Sequence, residues 1–346
     1  MIIKKEKLIK GLSNDELSAK CLELGFPKYR GNQLFEWMYK HCKQNFDDSN
    51  NLPAELIEIL NDKYLINTLT LSSQSISRSK LTTKILFKTI DDMYIETVSM
   101  IKGNRHTICI SSQIGCSVDC KFCATGKMGI KRNLYTGEIL DQVIYIINNI
   151  PQVITNIVYM GMGEPFLNYN NVIKSADILN HPNGFNISKK RITISTAGIL
   201  PKIKRFIEEK QKFKLAISLN ASNDKVRNLI MPINKKWSID NLIDIAHKYN
   251  RTFNSTITFE YVLIKNINDS TDNAQELRMM LSKLECKLNI IPYNDINCEF
   301  ERPSNDKIDS FIKVLIDKDS KCQVLVRWSK GQGIDAGCGQ LATSNG

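Results

Sequence analysis

Three cysteines crowd into one short stretch, GCSVDCKFCATG, as Cys116, Cys120 and Cys123. The spacing Cys-x3-Cys-x2-Cys supplies three thiolates. That is enough to hold three irons of a cubane [4Fe–4S] cluster and leave the fourth open. Zinc is the rival, but a structural zinc wants four ligands, as a rule in two separated pairs. No second Cys-x2-Cys and no His-x3–5-His occurs, and His41, His106, His181 and His247 lie far apart in the chain. Three buried thiols with no metal is the third reading. Phe122 inside the triplet and a predicted strand running into it favour the cluster.

The elements that must position this triplet read as alternating strand and helix. Strands are expected at TICISS (107–112), VITNIVYM (153–160), RITIST (191–196), FKLAISLN (213–220), TITFEYVLI (256–264), LNIIPYN (288–294) and QVLVRW (323–328). Helices are expected between most of them, at Gly137–Ile150, Ile239–Tyr249, Ser270–Leu284 and Asp306–Ile316. Alternation of this kind implies βαβ units on a parallel sheet, and six or seven units leave a partial barrel or an open sheet. Residues 1 to about 70 look helical, with NQLFEWMY (32–39) at helical spacing and Pro53 opening a further helix. Leu81 to Met100 reads as a β-hairpin around Asp91-Asp92.

Composition narrows the class. Hydrophobic residues at 42% and charged residues at 24% of 346 exclude disorder over the whole chain. Lys and Arg number 47 against 36 acids, a net charge of +11, which suggests a polyanionic partner. Met1 to Lys10 lacks the apolar core of a secretory signal. Gln142 to Gly163 is uncharged, but Asn148, Asn149, Pro151, Gln152 and Asn156 break it into helix, turn and strand, so no membrane segment is expected. The expected location is cytoplasmic. There the remaining cysteines are more often catalytic or inert than disulfide-bonded.

A second motif, Gly161-Met162-Gly163-Glu164-Pro165, follows the strand VITNIVYM, and glycine there permits close backbone approach to a ligand. By itself GxGEP is only a tight strand-to-helix turn. One βα unit after the cysteine triplet, it resembles the radical-SAM superfamily motif that pairs with the amino group of S-adenosylmethionine (SAM). The runs CISSQIGC, CKFCATG, RNLYTGEI, MGMGEP, RITISTAGI, LIMPIN, NDSTDNAQEL and IDAGCGQLA together resemble the radical-SAM adenine-C2 methyltransferases of 23S rRNA and tRNA. The likeness spans nearly the whole chain, YRGNQLFEWMY included. A sister family of C8 methyltransferases shares most of these motifs. Glu164-Pro165 and Lys131-Arg132-Asn133-Leu134 favour C2.

The resemblance implies an α/β fold, a partial (βα)6 radical-SAM barrel over residues 106–330. A helical, helix-hairpin-helix-like RNA-binding module occupies 1–70, a connecting β-hairpin 71–105 and a C-terminal loop 331–346. It implies a [4Fe–4S] cluster on Cys116, Cys120 and Cys123, and SAM contacts at Gly163, Glu164, Ser195, Ser218, Leu219, Asn220 and Asn294. Position 220 is Asn where the family usually has His. Gly333 and Asp295 also depart from the usual Asp and Pro.

The reaction implied is methylation of adenosine C2 in 23S rRNA (the position numbered 2503) and of adenosine 37 in tRNA. It proceeds with two SAM molecules, a reducing donor such as flavodoxin, and a monomeric enzyme. Carbon 2 is electron-poor and no nucleophile, so the route is radical. One SAM methylates Cys338 on a flexible loop, and a 5′-deoxyadenosyl radical from the other activates that methyl group. Glu96 removes the ring proton, and Cys109 releases the product through a disulfide. Cys109 as a buried strand cysteine and Glu96 as a solvated strand face are the plainer readings of those residues. Basic runs at Lys121–Arg132 and Lys189–Arg191 could meet phosphates, or simply be solvated. Tyr29, Phe35 and Trp37 could stack on bases, although their helical spacing suits core packing. A non-catalytic, metal-stabilised RNA-binding protein is the alternative from another class.

Overall fold

The computed structural model describes residues 7–49, 51–316, 320–329 and 331–343. Residues 1–6, part of the stretch inspected for a signal, lie outside it.

Three helices open the chain: α1 (Asn14–Glu23), α2 (Tyr29–Tyr39) and α3 (Ala54–Lys63). Ser13 starts α1 with a reciprocal cap, accepting from the Glu16 N–H while Glu16 accepts from the Ser13 N–H at 2.6 Å. Gly31 lets α2 cross α1 closely, since a Cβ there would lie 2.3 Å from the Ser18 nitrogen. Phe35 and Trp37 are buried, Trp37 stacked on Phe46 at 5.6 Å, so core packing accounts for both. Of the three aromatic residues weighed for base stacking, only Tyr29 is exposed.

The strands β1 (Leu69–Ile76), β2 (Thr82–Thr89), β3 (Tyr94–Lys102) and β4 (Arg105–Cys109) pair antiparallel in order. The expected hairpin is thus β2 and β3, and it continues into the larger sheet through Val98 opposite Cys109. After β4 come a two-stranded ribbon of β5 (Gln113–Gly115) and β6 (Ile130–Asn133), with the short α4 (Ala124–Lys127) between them. The chain then alternates: α5 (Thr136–Asn149), β7 (Asn156–Tyr159), α6 (Tyr169–Asn180), β8 (Ile192–Thr196), α7 (Leu200–Glu208), β9 (Lys214–Ser218), α8 (Asp224–Ile230) and α9 (Ile239–Phe253). It continues with β10 (Ile257–Leu263), α10 (Thr271–Leu281), β11 (Cys286–Pro292), α11 (Asn305–Leu315) and β12 (Cys322–Val326).

One sheet runs β1-β2-β3-β4-β7-β8-β9-β10-β11-β12, parallel from β4 onward. Its central strands β7 to β11 are nearly continuous apolar runs because helices cover the outer face. The parallel run curls on itself. Arg327, just past β12, brings its guanidinium to 3.9 Å from the sulfur of Met160, just past β7. This is the partial barrel expected from the alternation, with β12 as a seventh parallel strand after six βα units.

The N-terminal helices are locked to the barrel by charge. Lys10 forms an ion pair with Asp141 of α5, and both side chains are buried. The second oxygen of Asp141 accepts the Thr68 N–H at 2.7 Å. Removing one partner of such a pair strands the other charge, which costs about 3–5 kcal/mol. Lys10→Met should therefore lower unfolding stability in urea by about that much, and Lys10→Met with Asp141→Leu should recover most of it.

Candidate active site

Ligands of curled parallel sheets bind at the carboxyl ends of the strands, and the main cavity lies there. It encloses about 910 Å³, partly open to solvent. Cys116, Cys120 and Cys123 line it on the loop after β5. Gly163 and Glu164 enter after β7, Ser195 on β8, Ser218 and Asn220 at the end of β9, and Cys338 from the C-terminal loop. Residues more than two hundred positions apart are thus brought to one wall.

The thiols are dry. Burial pushes Cys116 up to about 12, Cys120 well above its usual value and Cys123 upward. Among the described residues no three donor side chains converge tightly enough for a single metal ion. A cubane asks for a different arrangement, one thiolate on each of three irons, and three thiols spread round one cavity wall match that donor set. The nearest permanent cation is Arg227 of α8, which is buried. It donates to the carbonyls of Leu219 (2.9 Å), Ala197 (2.8 Å) and Ser218 (3.0 Å) and to Asn234. Its charge favours deprotonated sulfur at Cys120. A lone arginine in KVRNL carries no sequence signal for this, and none was read.

Gly163 has φ +96°, and a Cβ there would strike Gln113 at 2.4 Å, so only glycine fits. Glu164 accepts the Ala197 N–H at 2.7 Å and the Phe166 N–H at 2.9 Å. Burial outweighs those bonds and pushes its carboxyl up to about 7. A carboxylate so poised is suited to receive a cationic group. Asn220 adopts left-handed backbone, φ 59°, which Asn tolerates better than most residues. Its Oδ1 accepts the Val262 N–H at 2.8 Å, tying the end of β9 to β10.

Two expected SAM contacts are not on the cavity wall. Leu219 turns its side chain into the core, while its N–H is given to Glu260 and its carbonyl to Arg227. Asn294 stands behind the Cys338 loop and donates to the Cys338 carbonyl at 3.0 Å.

That loop is docked, contrary to the expectation of a flexible one. The Ala124 N–H donates to the Gly339 carbonyl at 2.8 Å, the Thr125 hydroxyl to Leu341, and the Ala342 N–H to Glu96 at 2.9 Å. Cys338 presents accessible sulfur to the cavity space while protein surrounds it. That enclosure, reinforced by Glu260, pushes its thiol up to about 11. Cys109, at the end of β4, lies near enough for Cys338 to add to the burial that pushes it up to about 12. All ten cysteines are free thiols, so the implied disulfide is not present. Glu96 is buried rather than solvated. One oxygen pairs with Lys84 at 2.9 Å and the other holds Ala342, and burial raises its carboxyl. Arg132, weighed as a phosphate contact, is committed to Asp91 (2.6 Å) and Glu138 (2.7 Å).

Comparison with known proteins agrees with this arrangement. A protein of Cytophaga hutchinsonii, named dual-specificity RNA methyltransferase RlmN with the qualifier "probable", is 43% identical over 98% of this chain and 93% of its own. The dual-specificity RNA methyltransferase RlmN of Geobacter sulfurreducens is 41% identical over 96% of this chain and 91% of its own. The chain belongs to the RlmN family. Residues 110–277 match the radical SAM superfamily, and residues 8–66 match the ribosomal RNA large subunit methyltransferase N-terminal domain. A radical SAM methyltransferase from Sphaerobacter thermophilus superposes with a TM-score of 0.92 at 39% identity, covering 96% of this chain and 98% of that one. Membership in the RlmN family makes this a radical-SAM RNA methyltransferase, and the superfamily implies SAM and a [4Fe–4S] cluster. The non-catalytic RNA-binding alternative is set aside.

For a cationic group delivered to Glu164, affinity should follow the ionisation of that carboxyl. Below pH 7 the proton must leave first, so SAM binding should tighten by at most about tenfold per pH unit up to about 7 and level off above. Equilibrium dialysis across this range checks it, and Glu164→Gln should bind more weakly with no such slope.

Proposed function

We propose that this protein methylates C2 of adenosine in 23S rRNA, and adenosine 37 of tRNA, by way of a methyl group carried on Cys338 and with two SAM molecules per turnover. The observation that carries the reading is the meeting of Cys338 with the cysteine triplet in one cavity and with Cys109 beside it. Ordinary methyl transfer to a nucleophile needs neither thiol. When bound, the cluster and SAM supply the methyl group and the radical chemistry that an unreactive C–H position demands.

The chain's own residues do the rest. Cys338 loses its proton when it accepts the methyl group, and the docked loop holds its sulfur toward the bound base. Glu96 is assigned the ring proton, for which a carboxyl raised by burial is suited. In doing so it gives up the Ala342 N–H. Cys109 then attacks the Cys338 sulfur, freeing the RNA and leaving a disulfide for reduction.

RNA is reached from the open edge of the barrel. Trp328, half exposed, stands next to Arg327 there with the Arg302 guanidinium 5.6 Å from its ring centre, a surface on which a base can stack. Lys190, Lys214, Lys287 and Arg105 gather near the amino ends of the strands; burial, then Lys287, Arg105 and Lys190, lowers the Lys214 ammonium. Such a gathering suits a polyanion. The helical module at 1–70 is assigned to RNA contact, the barrel at 106–330 to chemistry, and the hairpin between them to joining the two. C2 is preferred to C8 on Glu164-Pro165 and on Lys131-Arg132-Asn133-Leu134. No helix of the described residues is long and apolar enough to cross a membrane. With ribosomal RNA as substrate, we place the protein in the cytoplasm as a monomer served by an acidic donor such as flavodoxin.

The gene expressed in a host lacking C2 methylation should put 2-methyladenosine into 23S rRNA, read by mass spectrometry of the digest, and Cys338→Ala should abolish it. Finding 8-methyladenosine alone would overturn the choice of carbon. Cys109→Ala should leave the protein covalently joined to RNA, visible as a nuclease-sensitive slow band on a denaturing gel.

A further inference from the structure

Glu260 lies mid-way along β10, opposite Ser218 on β9 and Asn289 on β11. It lines the cavity and is 5% exposed. Its Oε1 accepts from the Asn289 amide at 2.8 Å and lies 3.6 Å from the Arg327 guanidinium. Its Oε2 is buried and has no hydrogen-bond partner among the described residues. Glu164, the other carboxylate on the wall, has both oxygens engaged by backbone N–H groups. A buried acceptor without a donor is unfavourable, and Glu260 lines the cavity, so an occupant that brings a donor would relieve it.

Three features say which donor. Glu260 sits close enough to Cys338 to act on its thiol, and Arg327 acts on both Cys338 and Cys109. The carboxylate and the guanidinium stand side by side, 3.6 Å apart. Arg327 is held only loosely, at 3.6 Å from Glu260 and 3.9 Å from the Met160 sulfur, which leaves N–H groups to offer. The adenine edge next to C2 presents a matching pair: N1 accepts, and the amino group on the adjoining carbon donates. Guanine and uracil present the opposite order there, a carbonyl beside an N–H.

We propose that Glu260 selects the target base, its free Oε2 accepting from the 6-amino group of adenine while Arg327 donates to N1. The inference rests on the reading above that an RNA adenosine is methylated, and it adds how that base is told from others. In Glu260→Gln the amide oxygen is claimed by Asn289 and Arg327, which turns the NH2 toward the base and sets donor against donor.

The test compares reconstituted wild-type holoenzyme and E260Q on two 23S rRNA hairpins. One carries adenosine at the target, the other purine riboside, in which hydrogen replaces the amino group. Wild type should prefer adenosine. E260Q should lower kcat/KM for adenosine by roughly tenfold to a hundredfold, leave purine riboside nearly unchanged and so erase the preference. E260D, which withdraws the oxygen but keeps the charge, should fall in the same way. SAM affinity by equilibrium dialysis should be unchanged in both. An equal loss on the two hairpins, as a proton-transfer or purely structural role would give, overturns the proposal. So does weakened SAM binding with base preference intact. Wild type inactive on both hairpins would bring down the preceding reading, and this one with it.

Discussion

The hydrogen bond from the Ala124 N–H to the Gly339 carbonyl, 2.8 Å long, is the contact on which the site depends. It joins the loop that carries the cysteine triplet to the loop that carries Cys338. Without it the two sets of sulfur atoms belong to distant parts of the chain. The bond requires Gly339 at φ +85°, a backbone closed to most side chains. Thr125, on the same helix as Ala124, and Asn294 and Glu96 from elsewhere, share in holding the Cys338 loop. A sulfur held this way needs no search before it reacts, which is how ordering lowers the barrier of a later step.

The second constraint is dielectric. Burial raises every titratable thiol and carboxyl on the cavity wall, and Arg227 at Cys120 and Arg327 at Glu260 oppose that rise. Arg227 is the fixed counterweight. Because it is bonded to the carbonyls of Ala197, Ser218 and Leu219, it also fixes the ends of β8 and β9, from which Ser195, Ser218 and Asn220 project. One buried cation thus serves both electrostatics and geometry, and its loss would be felt in both.

The parallel strands and the longer helices were legible because burial on both faces leaves dense apolar runs, and amphipathic helices leave periodic ones. Strand β1, LTLSSQSI, was missed because it is an exposed edge with little apolar content to show. Helices α6, α7 and α8 fall in intervals where the alternation expects helix without bounds of their own; α7 carries Pro201 in its first turn, and α8 is short. At the site, the triplet could be read from spacing, and Gly163, Glu164, Cys338 and Cys109 only through resemblance. Glu260 reads in FEYV as an ordinary strand residue, because nothing in its neighbours tells which face it takes. Leu219 and Asn294 were placed among ligand contacts, whereas the structure uses the first through its backbone and the second as a buttress. Arg132 looked like a free cation because its two acids, Asp91 and Glu138, come from other elements.

The buried pair of Lys10 and Asp141 has a meaning beyond stability. Asp141 belongs to α5, the helix that leads from the cysteine loop and β6 to β7, and it also holds the Thr68 N–H where the helical module ends. The module is therefore anchored to the same body that holds the cavity and does not swing as a tethered arm. The two act as the jaws of a fixed calliper. On the function proposed above, an RNA that touches both would present its adenosine at one set reach from its second contact, so three-dimensional span would join base identity as a criterion of choice. Two RNAs unlike in sequence can pass the same gauge if their folded shapes offer the same separation.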